Sequence, residues 1–166
     1  MQTYKVRVTK DYLVFCSAHF IFFDDDKCER LHGHNYKVTA ELEAPLDEDH
    51  LVFDFIVLKK LLREIVNELD HRMLVPMKSR QLRIEESEKE IRLSYGEKQW
   101  VFPSGDCICL PIENTTAELM AKWIAERLRA DIDRTAKRRF DGVIRMEVEE
   151  STGQSAVFEL PARPPA

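Results

Sequence analysis

The chain has 166 residues, of which 44% are hydrophobic and 33% are charged, and its formal net charge is −5. This length favours one domain, residues 1–166, with a proper core. Because both signs of charge are mixed along the chain, it lacks the broad basic surface that nucleic acid binding requires. No apolar run approaches the roughly 20 residues of a membrane span, and the first residues lack the pattern of a signal peptide. We therefore expect a soluble, cytoplasmic protein that binds neither nucleic acid nor membranes.

The four cysteines are expected to be free thiols, because no secretory signal argues for an oxidising compartment. Two of them, Cys107 and Cys109, alternate with Ile108 and Leu110 in a strand-like run. Free cysteine behaves as a small buried hydrophobe, so this pattern favours packing in the core over a metal site.

The first half of the chain predicts two strands and a helix. Residues 4–23 and 35–43 alternate apolar and polar side chains, which is typical of half-buried strands. Asp54 is a good helix N-cap, and apolar residues follow it at helical spacing, which predicts an amphipathic helix of about four turns. This helix runs directly into Asp70 and His71.

The second half predicts an insertion, a helix and two strands. Residues 78–110 are more polar but have β character, and they predict a hairpin-like insertion. Thr115 and Glu118 form the pattern of a capping box ahead of a second helix that reaches about Lys137. Two strands then flank a Ser-Thr-Gly-Gln turn, 143–149 and 156–160. The element order, ββα, inserted β, then αββ, indicates an α+β fold class.

Three of the five histidines are placed so that they could meet at one metal ion. His32 and His34 are separated by one residue, so on a strand their side chains point to the same face. His19 lies on the preceding predicted strand, which a two-stranded ribbon can bring opposite them. Three imidazoles would leave one position of a tetrahedral zinc ion open, as in catalytic sites. The spacing alone fits a pair of surface histidines equally well.

The other candidate residues have both a chemical and a structural interpretation. Cys28, four residues before the histidine pair, could act as a base or nucleophile, or it could close the site as a fourth ligand. Asp70 could orient His71 for proton transfer, although such a pair at a helix end also serves as a cap. Glu149 and Glu150 would point to opposite faces of a strand, so that one of them could enter a pocket.

One segment, from Cys28 to Tyr36, reads Cys-Glu-Arg-Leu-His-Gly-His-Asn-Tyr, and His19 precedes it. Further segments follow in order, 52–55, 69–71, 114–118, 121–124 and 148–151. Together they span nearly the whole chain and resemble the 6-pyruvoyltetrahydropterin / 6-carboxytetrahydropterin synthase family. This resemblance strongly favours metal binding by the three histidines.

The resemblance implies a particular fold and assembly. The fold would be the tunnelling fold, or T-fold: an antiparallel four-stranded sheet of the ββααββ type, with two helices on one face and the β-rich insertion at about 78–110 added. Subunits would form a homotrimer that closes the sheets into a barrel, and two trimers could stack into a homohexamer. Closure would remove the open sheet edges of each subunit. The active sites would lie between subunits.

The resemblance also implies metal ligands, proton-transfer groups and substrate contacts. The ligands of Zn2+ would be His19, His32 and His34. The catalytic base would be Cys28, and Asp70 with His71 would relay protons for it. The contacts to the pterin ring would come from Glu150, Thr116 and Glu118.

The implied reaction is that of a zinc-dependent lyase that converts 7,8-dihydroneopterin triphosphate to 6-carboxy-5,6,7,8-tetrahydropterin, with loss of acetaldehyde and triphosphate. Three residues separate Cys28 from His32, which favours this queuosine-pathway type. The 6-pyruvoyl type has two more residues between its cysteine and the first histidine. Glu29, however, resembles family members that make 6-hydroxymethyl-dihydropterin for folate. Outside this class, a non-catalytic zinc protein closed by Cys28 and a zinc hydrolase remain as alternatives.

Overall fold

The computed structural model describes residues 2–24, 27–135 and 139–164. Its strands are β1 (Tyr4–His19), β2 (Phe22–Phe23), β3 (Lys27–Cys28), β4 (His32–Ala44), β5 (Arg72–Pro76), β6 (Arg83–Glu86), β7 (Glu90–Tyr95), β8 (Lys98–Pro103), β9 (Cys107–Leu110), β10 (Val143–Ser151) and β11 (Gln154–Leu160). Its helices are α1 (Phe55–Leu69) and α2 (Ala117–Thr135), with a short 3-10 helix at Ser104–Asp106.

The main sheet has six strands in the order β11-β10-β4-β1-β5-β9. The first four pair antiparallel, as the T-fold resemblance predicts. Two more strands extend the predicted four-stranded sheet, because β5 pairs parallel with β1 and β9 pairs parallel with β5. The crossover through α1 explains the parallel pairing, since it returns the chain to the sheet in the direction of β1.

The two helices cover one face of this sheet. Alternate residues of β4 point toward the helices and are fully buried, as the period of two in a strand requires: Tyr36, Val38, Ala40 and Leu42. They pack with the apolar stripe of α1 and with residues of α2 in one core. The prediction of an α+β fold with two helices on one face is therefore confirmed.

The two helix caps show one prediction confirmed and one wrong. Asp54 caps α1, and its carboxylate accepts hydrogen bonds from the backbone nitrogens of the second and third helical residues. The cap of α2 is Thr116 rather than Thr115, because the Thr116 hydroxyl accepts from the Leu119 backbone nitrogen at 3.4 Å. Thr115 is instead buried, and its hydroxyl donates to the carbonyl of Phe20.

The insertion is a three-stranded antiparallel sheet, β6-β7-β8, rather than a simple hairpin. Its chain then leaves through the 3-10 helix and β9 joins the main sheet, so the insertion ends before residue 110. The cysteines of β9 are free, as predicted, and Cys107 is buried. Cys109, on the same face of this edge strand, is exposed, so the prediction of core packing holds for Cys107 alone.

Several boundaries of the strands and helices differ from the predicted ones. The first strand ends at His19 instead of reaching residue 23, because the chain turns there and Phe22–Phe23 pairs with Lys27–Cys28. The predicted end of the second helix, Lys137, lies outside the described residues. Of the helices described, none has the length and apolar character needed to span a membrane.

Candidate metal centre

Three histidines converge at one end of the helix-covered sheet face. The register of β1 and β4 places His19 directly opposite His32, and His34 is the next residue on the same face of β4. One ligand atom from each histidine lies within 4.8 Å of those of the other two. Gly33 lies between the pair, where a Cβ atom would come within 3.1 Å of the Ser17 carbonyl oxygen. The sequence-predicted set is thus brought together, and it could hold a metal ion.

The hydrogen bonds of the rings suit metal binding. His19 Nδ1 lies 3.0 Å from the Thr115 carbonyl oxygen, and His32 Nδ1 lies 2.8 Å from that of Arg30. An Nδ1–H donated to a carbonyl orients the ring and leaves the lone pair of Nε2 for a metal. Burial lowers the pKa of His19 to about 4, so its ring is neutral near pH 7, as a ligand must be. The donor set therefore fits a zinc ion.

Two carboxylates border the histidines. Glu150 lies on the helix-covered face of β10, with Oε1 3.6 Å from His19 Nε2 and 3.8 Å from His34 Nε2. Glu29 lies on the other side, with Oε2 3.9 Å from His32 Nε2. Glu149 points to the opposite face, where its carboxylate accepts a hydrogen bond from the Gly153 nitrogen. Of the adjacent pair, Glu150 is the residue beside the candidate site.

Cys28 is half-buried on β3, close to the triad in sequence but outside the ligand group. Its thiol contacts the backbone carbonyl of Glu29, at 3.4 Å from Sγ. Burial raises the pKa of the thiol, and the charge of Glu29 adds to this rise, whereas the Lys98 ammonium opposes it. The described metal-binding group consists of the three histidines and does not include this thiol.

Asp70 and His71 form a pair at the end of α1, with His71 Nδ1 2.8 Å from Asp70 Oδ2. The pair is held against β1, because Cys16 donates its backbone N–H to Asp70 Oδ1 and accepts the His71 N–H. The hydrogen bond from Cys16 lowers the pKa of Asp70. The His71 side chain is 81% exposed. The contacts of the described residues do not join this pair to the histidine triad within one chain.

Thr116 and Glu118 begin α2, near the triad in the fold. The Thr116 hydroxyl is used as the helix cap, and Glu118 is exposed. Neither residue has a described contact with a histidine. That these two residues contact a substrate stays a prediction.

Sequence reasoning missed three residues that position the triad. The Asn114 side chain holds the segment after His19 by bonding both the N–H and the carbonyl of Phe22. The backbone carbonyl of Thr115 orients His19. The Tyr36 hydroxyl lies 3.2 Å from the His19 ring nitrogens, and burial raises the pKa of this tyrosine. The only sequence signal for these roles was that all three lie in the motif segments.

Comparison with known proteins gives consistent results over nearly the whole chain. A sequence model of the family described as 6-pyruvoyl tetrahydropterin synthase matches residues 7–161. A protein of Methanocaldococcus jannaschii, provisionally named 6-carboxy-5,6,7,8-tetrahydropterin synthase, is 34% identical over 88% of this chain and 89% of its own. A Pyrococcus horikoshii protein with the same provisional name is 35% identical over 75% of this chain and 73% of its own.

A solved structure has the same fold. It is the 6-pyruvoyltetrahydropterin synthase of Plasmodium vivax, in a variant with a catalytic glutamate replaced by alanine. It is 29% identical, covers 97% of this chain and 99% of its own, and superposes with a TM-score of 0.88. The family match, the two archaeal relatives and this shared fold agree with the convergence of the three histidines. The chain belongs to the 6-pyruvoyl tetrahydropterin synthase family.

Proposed function

We propose that this protein is a zinc-dependent lyase that converts 7,8-dihydroneopterin triphosphate to 6-carboxy-5,6,7,8-tetrahydropterin, releasing acetaldehyde and triphosphate. The observation that carries the proposal is the convergence of His19, His32 and His34 beside the carboxylate of Glu150. Two archaeal relatives provisionally named for this product support the choice of reaction. Such a step would belong to the synthesis of a deazapurine, as in queuosine.

The protein groups in the proposed mechanism divide into metal ligands and proton-transfer groups. A zinc ion held by the triad would polarise the oxygens of the substrate side chain and make the adjacent C–H bonds more acidic. Cys28 takes the proton, and His71, oriented by Asp70, moves it onward. Because the relay pair is held against Cys16 and no described contact joins it to the triad of its own chain, we infer that a neighbouring subunit supplies it in a trimer or hexamer.

Glu150 anchors the pterin ring in this proposal. Its carboxylate is 26% exposed and lies on the same sheet face as the triad, so it can accept hydrogen bonds from the amino-pyrimidine edge. Such charge-assisted bonds are short and directional, which would fix the ring while its side chain reaches the metal. Thr116 and Glu118, at the start of α2, would contact the same ring.

The proposed function is tested with the zinc-loaded protein and 7,8-dihydroneopterin triphosphate, with the pterin product identified by mass spectrometry. The expected product is the 6-carboxy compound with an equivalent of acetaldehyde. His32→Asn should lose bound zinc and activity, and His50→Asn, which changes an exposed loop histidine, is the matched control. Full activity of metal-free protein would contradict the proposal.

A second candidate product is 6-hydroxymethyl-dihydropterin, with Glu29 as the base. The observation that favours it is the position of Glu29 Oε2, 3.9 Å from His32 Nε2. Burial also raises the pKa of the neighbouring Cys28, which makes the thiolate harder to form. The Plasmodium vivax relative also has a catalytic glutamate. Elimination to the 6-pyruvoyl product is a third outcome of the same reaction type.

Cys28→Ala and Glu29→Gln separate these products. If Cys28 is the base for the 6-carboxy product, Cys28→Ala should abolish that product, whereas Glu29→Gln should remove only 6-hydroxymethyl-dihydropterin. Loss of both products in Glu29→Gln alone would make Glu29 the base for both reactions. Unchanged turnover in Cys28→Ala would remove Cys28 from the mechanism.

A further inference from the structure

The three-stranded insertion packs against the segment that carries Cys28. Trp100 stacks on Phe20, with ring centroids 4.5 Å apart and planes 21° apart, and Tyr95 meets Phe22 edge-on at 4.9 Å. Phe20 and Phe22 belong to one apolar cluster with the buried residues of the insertion, and Cys28 packs against it. The insertion is therefore part of the wall that supports β2 and β3.

Lys98 adds a polar contact to this apolar one. It is the first residue of β8, directly after the tight turn at Gly96, whose φ of 56° a glycine adopts without strain. Its ammonium group donates a hydrogen bond to the backbone carbonyl of Cys28, with Nζ 3.1 Å from the oxygen. The tip of the insertion thus contacts the backbone of the proposed catalytic residue itself.

We propose that Lys98 is a positioning residue for Cys28: its hydrogen bond to the Cys28 carbonyl fixes the backbone of the loop that carries the thiol. This inference rests on the proposed function, in which Cys28 is the catalytic base. It gives the insertion a role in catalysis, although the insertion itself contains no residue that reaches the metal ligands by a described contact.

The electrostatics of the loop explain why a cation is needed at this place. A half-buried thiol resists ionisation, and the adjacent Glu29 carboxylate disfavours a second negative charge. Lys98 opposes both effects because its charge lies on the strand packed against the loop. A thiol near a lysine is a stronger base near neutral pH than one without such a neighbour.

The test compares three variants in the zinc-loaded protein. Lys98→Met removes the charge and the hydrogen bond, Lys98→Arg keeps a cationic donor, and Lys89→Met removes the same charge from an exposed turn of the same insertion. The first readout is the pH dependence of iodoacetamide alkylation at Cys28, followed on its own peptide by mass spectrometry. The second is the pair of constants kcat and KM, and the third is the melting temperature.

In Lys98→Met we expect the pH midpoint of Cys28 alkylation to rise by about half a pH unit or more, as for an interaction between partly exposed charges. We also expect kcat to fall about tenfold with KM little changed, because the base is displaced. Lys98→Arg should restore most of both values, and Lys89→Met should match the wild type.

Two results would overturn the inference. One is an alkylation midpoint and a kcat in Lys98→Met that equal those of the wild type. The other is an equal loss of activity and melting temperature in Lys98→Met and Lys98→Arg, which would assign the effect to loosening of the insertion. If the wild type forms no pterin product, the proposed function fails, whereas a raised alkylation midpoint would still support the action of Lys98 on Cys28.

Discussion

His19 shows at the scale of one residue how burial can suit a side chain to bind a metal. Its side chain is 1% exposed, and its ring nitrogens contact Thr115 and Tyr36. Burial favours the neutral ring and lowers its pKa to about 4, from 6.5 in the unfolded chain. The fold therefore holds the ring in the neutral form that could bind a metal.

This burial predicts a pH dependence for the metal-free protein. Because the unfolded chain binds a proton at His19 more tightly than the folded one, the free energy of unfolding should fall as the pH drops from about 6.5 toward about 4, by a few kcal/mol. Urea unfolding in the presence of a chelator measures it. The decrease of this free energy per pH unit should be smaller in His19→Gln and unchanged in His50→Asn. An equal slope in all three proteins would exclude His19 as its source.

At the scale of elements, the insertion and the loop before the metal ligands stabilise each other. The loop consists of two-residue strands, β2 and β3, which are too short to hold their own conformation. Asn114 holds it from the helix side, and Trp100 holds it from the insertion. The position of Cys28 therefore depends on elements that are far away in sequence.

Trp100→Ala should consequently affect both stability and activity. Trp100 is partly buried, so loss of its stacking on Phe20 should lower the free energy of unfolding by about 2 kcal/mol. Activity should fall as well, because Cys28 loses its support. Val101→Ala, at an exposed neighbouring position, is the control for denaturant unfolding and turnover. A stable Trp100→Ala variant with full activity would show that the loop holds itself.

At the scale of the whole molecule, the proposed trimer or hexamer depends on the helix-free face of the sheet and on its edges. This face carries ion pairs between strands: Arg145 of β10 pairs with Glu41 and Glu43 of the neighbouring β4, and Arg7 of β1 reaches across β4 to Glu147 of β10. The sheet ends in the open edge strand β11. Closure into a barrel would remove this edge, and in the arrangement proposed above Asp70 and His71 of one subunit would complete the candidate site of the next.

Subunit mixing tests this arrangement. Cys28→Ala and His71→Ala should each be inactive, but a mixture that is dissociated and reassembled should regain about a quarter of the wild-type activity, because one site in four combines two intact halves. The same variants mixed without dissociation are the control. No recovery in oligomers shown by native mass spectrometry to contain both variants would place the whole site within one chain.

The sequence by itself determined most of the elements and two of the three histidines of the candidate metal centre as one group. Alternation in β1 and β4 and the helical spacing after Asp54 depend on near neighbours, so the strands, the first helix and the common face of His32 and His34 could be predicted. The resemblance to the family supplied the order of the strands. Boundaries were less accurate, as at the cap of the second helix, where Thr115 and Thr116 are equally suitable residue types.

Only the tertiary structure decided which distant residues complete the site. Neither Asn114 nor Lys98 has a local pattern that connects it to Cys28 or Phe22, because hydrogen bonds between residues 70 or more apart in the chain leave no periodic signal. The strand β5 was missed, and so was the parallel pairing that joins β5 and the strand-like run of β9 to the main sheet, because a strand of four or five residues carries no local signal of its partner. The position of Asp70 and His71 follows from where α1 ends against β1, a packing contact that the fold as a whole determines.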